Sequence, residues 1–369
     1  MIDLPSILKV AVENGASDVH LKAGLPPLFR VAGALVPLRN GPRMTPELLA
    51  GFFKEMAQPP VRDELQRNRE VDFAYAAPGQ GRFRVAAFQQ RQSLALALRV
   101  VPSEIKSIDE LNLPTVVKRI ANEQRGLVLV TGATGSGKST TLAAMIDQIN
   151  NQRTAHILTI EDPIEFLFRD RRSIVNQREV GLDTRSFARA LRSALRQDPD
   201  VILVGEMRDQ ETIETALTAA ETGHLVLSTL HTVDAPETIS RIVHSFPPHQ
   251  HQQVRLACAA SVRAVISQRL IKRADGRGRV AALEVMLTTA RIRELIAEEG
   301  RLTELREAIA EGHQSYGMQT FDQSLMALLR GGLITQDEAL RNCTNKDDFV
   351  LRLQGVSGTS DVQWQGFDR

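Results

Sequence analysis

Apolar and polar positions along residues 115–232 follow a pattern that predicts a parallel sheet. Short runs rich in apolar residues are separated by stretches with helical periodicity. The runs are GLVLVTG (126–132), HILTIED (156–162), SIVNQREV (173–180), DVILVGE (200–206) and HLVLSTLHT (224–232). Strands that are buried on both faces and separated by helices form parallel sheets with helices on each side. This part of the chain is therefore predicted to be α/β.

The first 101 residues follow a different pattern, typical of a small α+β domain. Helical periodicity in 4–15 is followed by two short strand-like stretches, VHLKAG and PLFRVAGALVPL. Helical periodicity in 45–57 and 59–67 is then followed by the alternating stretches VDFAYA, GRFRVAAFQQR and SLALALRVV. Residues 102–114 have prolines at both ends and few large apolar side chains, so we predict a linker there.

The remainder is predicted to be one domain, 115–355, followed by a tail. We expect residues 236–355 to be mostly helical. Residues 356–369 are mostly small or polar, which predicts a disordered tail.

Composition limits the classes of protein that the chain can be. Its 369 residues carry a net charge of +1, which argues against a nonspecific nucleic-acid binder. The two cysteines, Cys258 and Cys343, form no CxxC pair and suit a reducing compartment. The first residues lack a secretory signal pattern, and no apolar stretch approaches the roughly 18 residues that a membrane span needs. We therefore expect a cytoplasmic protein.

The most specific motif is GATGSGKS, which satisfies G-x-x-x-x-G-K-[ST] between a predicted strand and a predicted helix. Backbone N–H groups of such a loop surround the phosphates of a nucleotide, and the helix adds its positive end. Lys138 is predicted to contact the β and γ phosphates, and the Ser139 hydroxyl to contact Mg²⁺. The predicted ATP-binding residues are Gly132, Ala133, Thr134, Gly135, Ser136, Gly137, Lys138, Ser139 and Thr140.

Carboxylates follow two of the other apolar runs. Glu206 comes after DVILVG, where it could act on the metal or on the attacking water, or simply cap a helix or form a salt bridge. Glu161 and Glu165 lie in TIEDPIEF. We predict Glu161 near the metal and Glu165 as the base, with a solvated acidic loop as the alternative.

Two histidines, His224 and His231, lie at opposite ends of HLVLSTLH. Seven extended residues cover roughly 23 Å, so the two cannot bind one metal ion. A parallel strand places His231 on the nucleotide side, where it could sense the γ-phosphate or an interface. His224 could contact the nucleotide as a relay to a neighbouring subunit, or it could be structural.

A positive charge near the γ-phosphate is still needed, because phosphoryl transfer is accelerated by a cation, often an arginine from elsewhere. The candidates are Arg82, Arg84, Arg91 and Arg99 in the first domain. A solvated strand face would also explain such a series.

Together these motifs resemble the type II and type IV secretion ATPases, and within them the PilT-type retraction ATPases of type IV pili. GATGSGKST, TIEDPIEF, DPDVILVGEMRD and ETGHLVLSTLHT match the Walker A, Asp, Walker B and His boxes of that group. The resemblance implies a PAS-like α+β domain, a RecA-like P-loop ATPase domain with C-terminal helices, and a homo-hexamer with ATP sites between subunits. It also implies pilus retraction, which supports twitching motility, at the inner face of the cytoplasmic membrane, together with an inner-membrane platform protein.

Several alternatives stay open at this stage. Extension and secretion ATPases often carry a tetracysteine insertion, which this chain lacks. The retraction branch has a helical motif A-I-R-x-L-I-R-E, and the stretch ARIRELIAEE (290–299) departs from it. This departure leaves open the alternative that the chain is a paralogous, accessory retraction ATPase. A nucleic-acid translocase is disfavoured by the near-zero charge. A non-catalytic ring subunit is disfavoured because the candidate site is complete, with Lys138, Glu165, Glu206 and His231 all present.

Overall fold

The computed structural model describes residues 3–31, 33–102 and 104–355, so the predicted tail at 356–369 lies outside the described residues. The chain divides into two compact units. The first consists of Met1–Glu104 together with Glu165–Leu167, and the second of Ile105–Ile164 and Phe168–Arg369.

The first unit is built on an antiparallel sheet, and in the described residues its strand order is β3-β2-β1-β6-β5-β4. The strands are β1 Asp18–Lys22, β2 Leu28–Val31, β3 Ala34–Pro37, β4 Glu70–Ala77, β5 Gly81–Gln90 and β6 Ser93–Val101. The helices are α1 Leu4–Glu13, α2 Pro46–Met56 and α3 Pro59–Asn68. On β5, Phe83 and Val85 are buried in the core, whereas Arg82 and Arg84 lie on the opposite face of the sheet.

The second unit has a larger sheet, whose described strands follow the order β13-β12-β7-β11-β10-β8-β9. They are β7 Gly126–Thr131, β8 His156–Glu161, β9 Ile174–Glu179, β10 Val201–Val204, β11 Leu225–Leu230, β12 Val262–Lys272 and β13 Arg279–Leu287. From β12 to β9 neighbouring strands are parallel, and only β13 is antiparallel to its neighbour. The predicted parallel sheet is therefore confirmed.

Helices cover both faces of this sheet and continue towards the carboxyl terminus. They are α4 Val116–Ala121, α5 Lys138–Gln152, α6 Phe187–Ala194, α7 Gln210–Glu221, α8 Ala235–His244, α9 His251–Ser261, α10 Ala290–Ala297, α11 Leu305–Glu311, α12 His313–Tyr316, α13 Phe321–Arg330, α14 Gln336–Asn342 and α15 Lys346–Leu353. Short 3₁₀ turns lie at Pro248–Gln250 and Leu302–Glu304.

The prediction that residues 236–355 are mostly helical is wrong for the β12–β13 hairpin. β12 pairs with β7 on one side and with β13 on the other, so most of its side chains are buried and the period-2 alternation of an exposed strand is obscured. The turn signal Asp275–Gly276 between two apolar runs could have revealed the hairpin.

Most of the predicted linker is a packed segment of the second unit. Ile108 and Leu113 are buried in the core that also contains Val117 and Ile146. Two well-placed apolar side chains hold this segment, although its composition is mainly polar.

Candidate nucleotide-binding site

The predicted site residues meet at the carboxyl edge of the larger sheet. The P-loop follows β7, His231 follows β11, Glu206 follows β10 and Glu161 ends β8. These four strands are consecutive and parallel in the sheet, so the residues that follow them emerge at the same edge. This is where open α/β sheets bind their ligands.

The P-loop joins β7 to α5, which begins at Lys138. Gly137 caps the helix with a φ of 92°, in the left-handed region that favours glycine. The Lys138 ammonium is largely buried and donates to the carbonyls of Gly132 (2.8 Å) and Ala133 (3.1 Å). A cation is thus held within the loop, next to the amino end of a helix, which is a combination suited to phosphate.

Glu206 and His231 are brought together, as the strand order requires. His231 Nε2 lies 3.4 Å from Glu206 Oε2, and Arg208 pairs with the other carboxylate oxygen. The Glu206 side chain is only 13% exposed. Thr229 Oγ1 donates to the Gly205 carbonyl (2.7 Å), which ties the β10 end to β11. Glu206 therefore forms the salt bridge that was one alternative from the sequence, and its carboxylate still lies at the carboxyl edge of the larger sheet.

Glu161 lies beside this pair of strands. It is buried, and its Oε1 accepts from Thr159 Oγ1 (2.7 Å) and Gln177 Nε2 (3.2 Å). The Gly205 N–H donates to the Ile160 carbonyl at 2.8 Å. The residue before Glu206 is thus hydrogen-bonded to the residue before Glu161.

Glu165 is placed differently from Glu161. It is exposed and lies in Glu165–Leu167, the short segment that groups with the first unit. Its role as the base stays a prediction.

His224 lies at the opposite edge of the sheet from Lys138. It precedes β11, its Nδ1 lies 2.9 Å from the Ala219 carbonyl near the end of α7, and its carbonyl accepts from Gly126 at the start of β7. The seven residue steps from His224 along β11 to His231 span roughly 23 Å. Within one chain His224 therefore cannot contact a nucleotide at Lys138, and its predicted contact stays open only for a neighbouring subunit.

The predicted arginines are divided between two places in the first unit. Arg84 on β5 is directly opposite Arg99 on β6, and Arg82 lies two residues away on the same face. Arg91 is in the β5–β6 turn, about seven residues from Arg84 and so roughly 20 Å away. The structure therefore brings Arg82, Arg84 and Arg99 together and separates Arg91 from them.

Asp18 partly balances the arginine cluster. Arg99 Nε lies 3.0 Å from Asp18 Oδ1, and Arg30 lies 3.8 Å from the same carboxylate. Partial burial alone would raise the pKa of Asp18, but hydrogen bonds from Ser17 and Arg99 outweigh that effect and lower it.

The β12–β13 hairpin contributes polar residues that sequence reasoning missed. Ser267 accepts from Thr131 Oγ1 at 3.0 Å, directly before the P-loop, and Gln268 contacts the loop itself. Glu284, opposite Ser267 on β13, accepts from the N–H of Ala235 (2.8 Å), the first residue of α8 after the His231 segment. Because the region was predicted to be helical, its polar residues were not connected with the nucleotide edge.

The Glu284 carboxyl should make stability depend on pH. Burial raises the pKa of Glu284 to about 7, although the Ala235 N–H acts in the opposite direction. At this carboxyl the folded state therefore binds more protons than the unfolded state between about pH 4.5 and pH 7, and the contribution of Glu284 to stability falls as the pH rises through this window. The shift corresponds to a loss of ~3 kcal/mol.

We expect Glu284→Gln to remove this dependence. The thermal unfolding midpoint of the variant, measured relative to that of the parent at the same pH, should therefore rise from pH 5 to pH 8. Glu299→Gln, which changes an exposed carboxylate, is the control and should follow the parent. Parallel curves for Glu284→Gln and the parent would contradict a buried, titrating Glu284.

Known proteins resemble this chain over most of its length. The family described as type II/IV secretion system protein matches residues 1–341. The chain belongs to that family. It is 47% identical over 348 residues to the type IV pilus retractation ATPase PilT of Pseudomonas aeruginosa, covering 94% of this chain and all of PilT. It is 49% identical over 344 residues to a twitching motility protein of Neisseria gonorrhoeae, covering 93% of this chain and 91% of that protein.

A solved structure extends the likeness to the fold. The crystal structure of the pilus retraction motor PilT with bound ADP matches with a TM-score of 0.86 at 48% identity, covering 94% of this chain and 99% of PilT. The predicted RecA-like ATPase fold and the predicted ATP hydrolase are thereby confirmed. The PAS-like character of the first unit stays a prediction. Across the described part of the chain, no helix is both long and apolar enough to span a membrane.

Proposed function

We propose that this ATPase is the motor of type IV pilus retraction and couples ATP hydrolysis to the disassembly of pilin, supporting twitching motility. The observation that carries the proposal is the likeness to PilT, which extends over nearly the whole length of both chains in sequence and in fold. The P-loop, Glu206 and His231 at one sheet edge supply the ATPase site that such a motor needs.

The motor acts as a ring of about six identical subunits, with each ATP site completed by a neighbour. The division of the predicted residues supports this arrangement. The phosphate-binding Lys138 belongs to the second unit, whereas Arg82, Arg84 and Arg99 form a cluster on the first. Charge that develops on the γ-phosphate requires more cations than one lysine.

Mg²⁺ accompanies the nucleotide. The donors available at the sheet edge are the Ser139 hydroxyl at the start of α5 and the carboxylates of Glu161 and Glu206. Oxygen ligands of this kind fit Mg²⁺, which usually takes one or two carboxylates and completes its shell with phosphate oxygens and water. When bound, the ion would neutralise charge on the β and γ phosphates.

The partners follow from the same role. The ring works at the inner face of the cytoplasmic membrane and contacts the lipid only through an inner-membrane platform protein. Nucleic acid is not a partner, which agrees with the net charge of +1.

Deletion of the gene tests the proposal. We expect the cells to keep surface pili but to lose retraction and twitching, because assembly does not require this motor. The chain supplied in trans should restore both, whereas Lys138→Ala should restore neither. Loss of the pili themselves would indicate an assembly motor, and unchanged retraction would contradict the proposal.

A further inference from the structure

Strand β12 meets the P-loop through one buried glutamine. Gln268 is 3% exposed. Its Nε2 donates to the Ser136 carbonyl at 2.8 Å, and its Oε1 accepts from Thr141 Oγ1 at 2.7 Å. Ser136 lies in the loop and Thr141 in the first turn of α5. One side-chain amide is therefore bonded both to the phosphate-binding loop and to the helix that follows it.

Two P-loop glycines also lie against this residue. A Cβ on Gly132 would stand 2.4 Å from the main-chain oxygen of Gln268, and a Cβ on Gly137 would stand 2.7 Å from its Nε2. A side chain at position 132 would meet main chain that cannot move aside, and one at position 137 would displace the Gln268 amide from its bond to Ser136. The first and last glycines of the loop therefore let it approach Gln268 closely, in addition to any approach to phosphate.

The two bonds also determine which way the amide points. The nitrogen must face a carbonyl and the oxygen must face a hydroxyl, so neither a carboxylate nor an apolar side chain can replace both contacts. Because Thr141 is 1% exposed, its hydroxyl would lose a partner that water cannot readily replace.

We propose that Gln268 is a positioning residue for nucleotide binding, which holds the P-loop and the first turn of α5 in the arrangement that receives the phosphates. It acts through Ser136 and Thr141. The proposal requires ATP binding at the P-loop and is independent of pilus retraction. Since the loop holds the phosphates in the ground state and in the transition state alike, losing Gln268 should weaken binding and leave turnover nearly unchanged.

The test compares Gln268→Met with Gln319→Met in the full chain. Methionine keeps the length of the side chain and removes both hydrogen bonds. Gln319 is a matched control, because it is also a buried glutamine of the second unit and donates to the Leu283 carbonyl at 2.9 Å. For Gln268→Met we expect KM for ATP and Kd for a fluorescent ADP analogue to rise about tenfold, with kcat within about threefold. For Gln319→Met we expect lower thermal stability with KM and Kd unchanged.

Thr141 provides a second and independent arm. Thr141→Val keeps the shape of the side chain but removes the hydroxyl, so Kd for the ADP analogue should rise. Thr141→Ser keeps the hydroxyl, so its Kd should equal that of the parent. The Gln268→Met and Thr141→Val losses should not add in the double variant, because both remove the same bond.

Two results would overturn the proposal. One is that Gln268→Met lowers stability or kcat without changing Kd, as a purely structural residue would. The other is that Thr141→Val binds the ADP analogue as the parent does, and this result decides the matter even if Gln268→Met fails to fold.

Discussion

Lys138→Ala is expected to abolish ATP hydrolysis, lowering turnover by about 10³-fold or more, and to weaken nucleotide binding. The Lys138 ammonium is held inside the loop by the Gly132 and Ala133 carbonyls, so the cation is already in place when phosphate arrives. Alanine removes that charge from a largely buried position that water cannot fill equally well. Phosphate release measures turnover, and a fluorescent ADP analogue measures binding.

Three further variants make this result specific. Lys118→Ala removes a lysine of the same unit that pairs with Asp109 at 2.6 Å on the surface, and it should leave turnover unchanged. Glu206→Gln removes a negative charge while keeping the volume of the side chain, so the variant should keep nucleotide binding but lose most turnover. We expect the same result for Glu165→Gln. Near-normal hydrolysis by Lys138→Ala would exclude the P-loop as the catalytic site.

Subunits with alanine at Arg82, Arg84 and Arg99 are expected to be inactive alone and to regain part of their activity when mixed with Lys138→Ala subunits. An arginine that reaches the γ-phosphate from a neighbour can be worth about 10³-fold or more in turnover. In mixed rings some interfaces combine an intact P-loop with an intact arginine cluster. Hydrolysis by the mixture, with assembly followed by mass measurement, reports such interfaces.

Arg91→Ala is the comparison variant within the same strand pair. Arg91 was predicted together with the other three, but it lies in the β5–β6 turn, away from the cluster. If only the cluster serves the neighbouring site, Arg91→Ala keeps its activity. Mixed rings that form yet show only background hydrolysis would mean that the arginines act within their own chain or have no catalytic role, and the shared site would be wrong.

The sequence by itself was sufficient wherever the chemistry lies in one contiguous segment. The P-loop is one segment of eight residues between a strand and a helix, so its pattern alone locates the phosphate site and Lys138. The right-handed parallel connections then place Glu206 and His231 at the same edge without further information, because each follows a buried strand.

Only the tertiary structure decided which distant segments complete that edge. The β12–β13 hairpin pairs with β7 across more than 130 residues of chain, and most of its side chains are buried, so no local periodicity marked it as strands. The contacts of Gln268 and Glu284 depend on that pairing, and so does the pKa of Glu284. Strand register likewise placed Arg84 opposite Arg99 and left Arg91 in the turn. Pairing and register arise from contacts between segments far apart in the chain, which a local pattern does not contain.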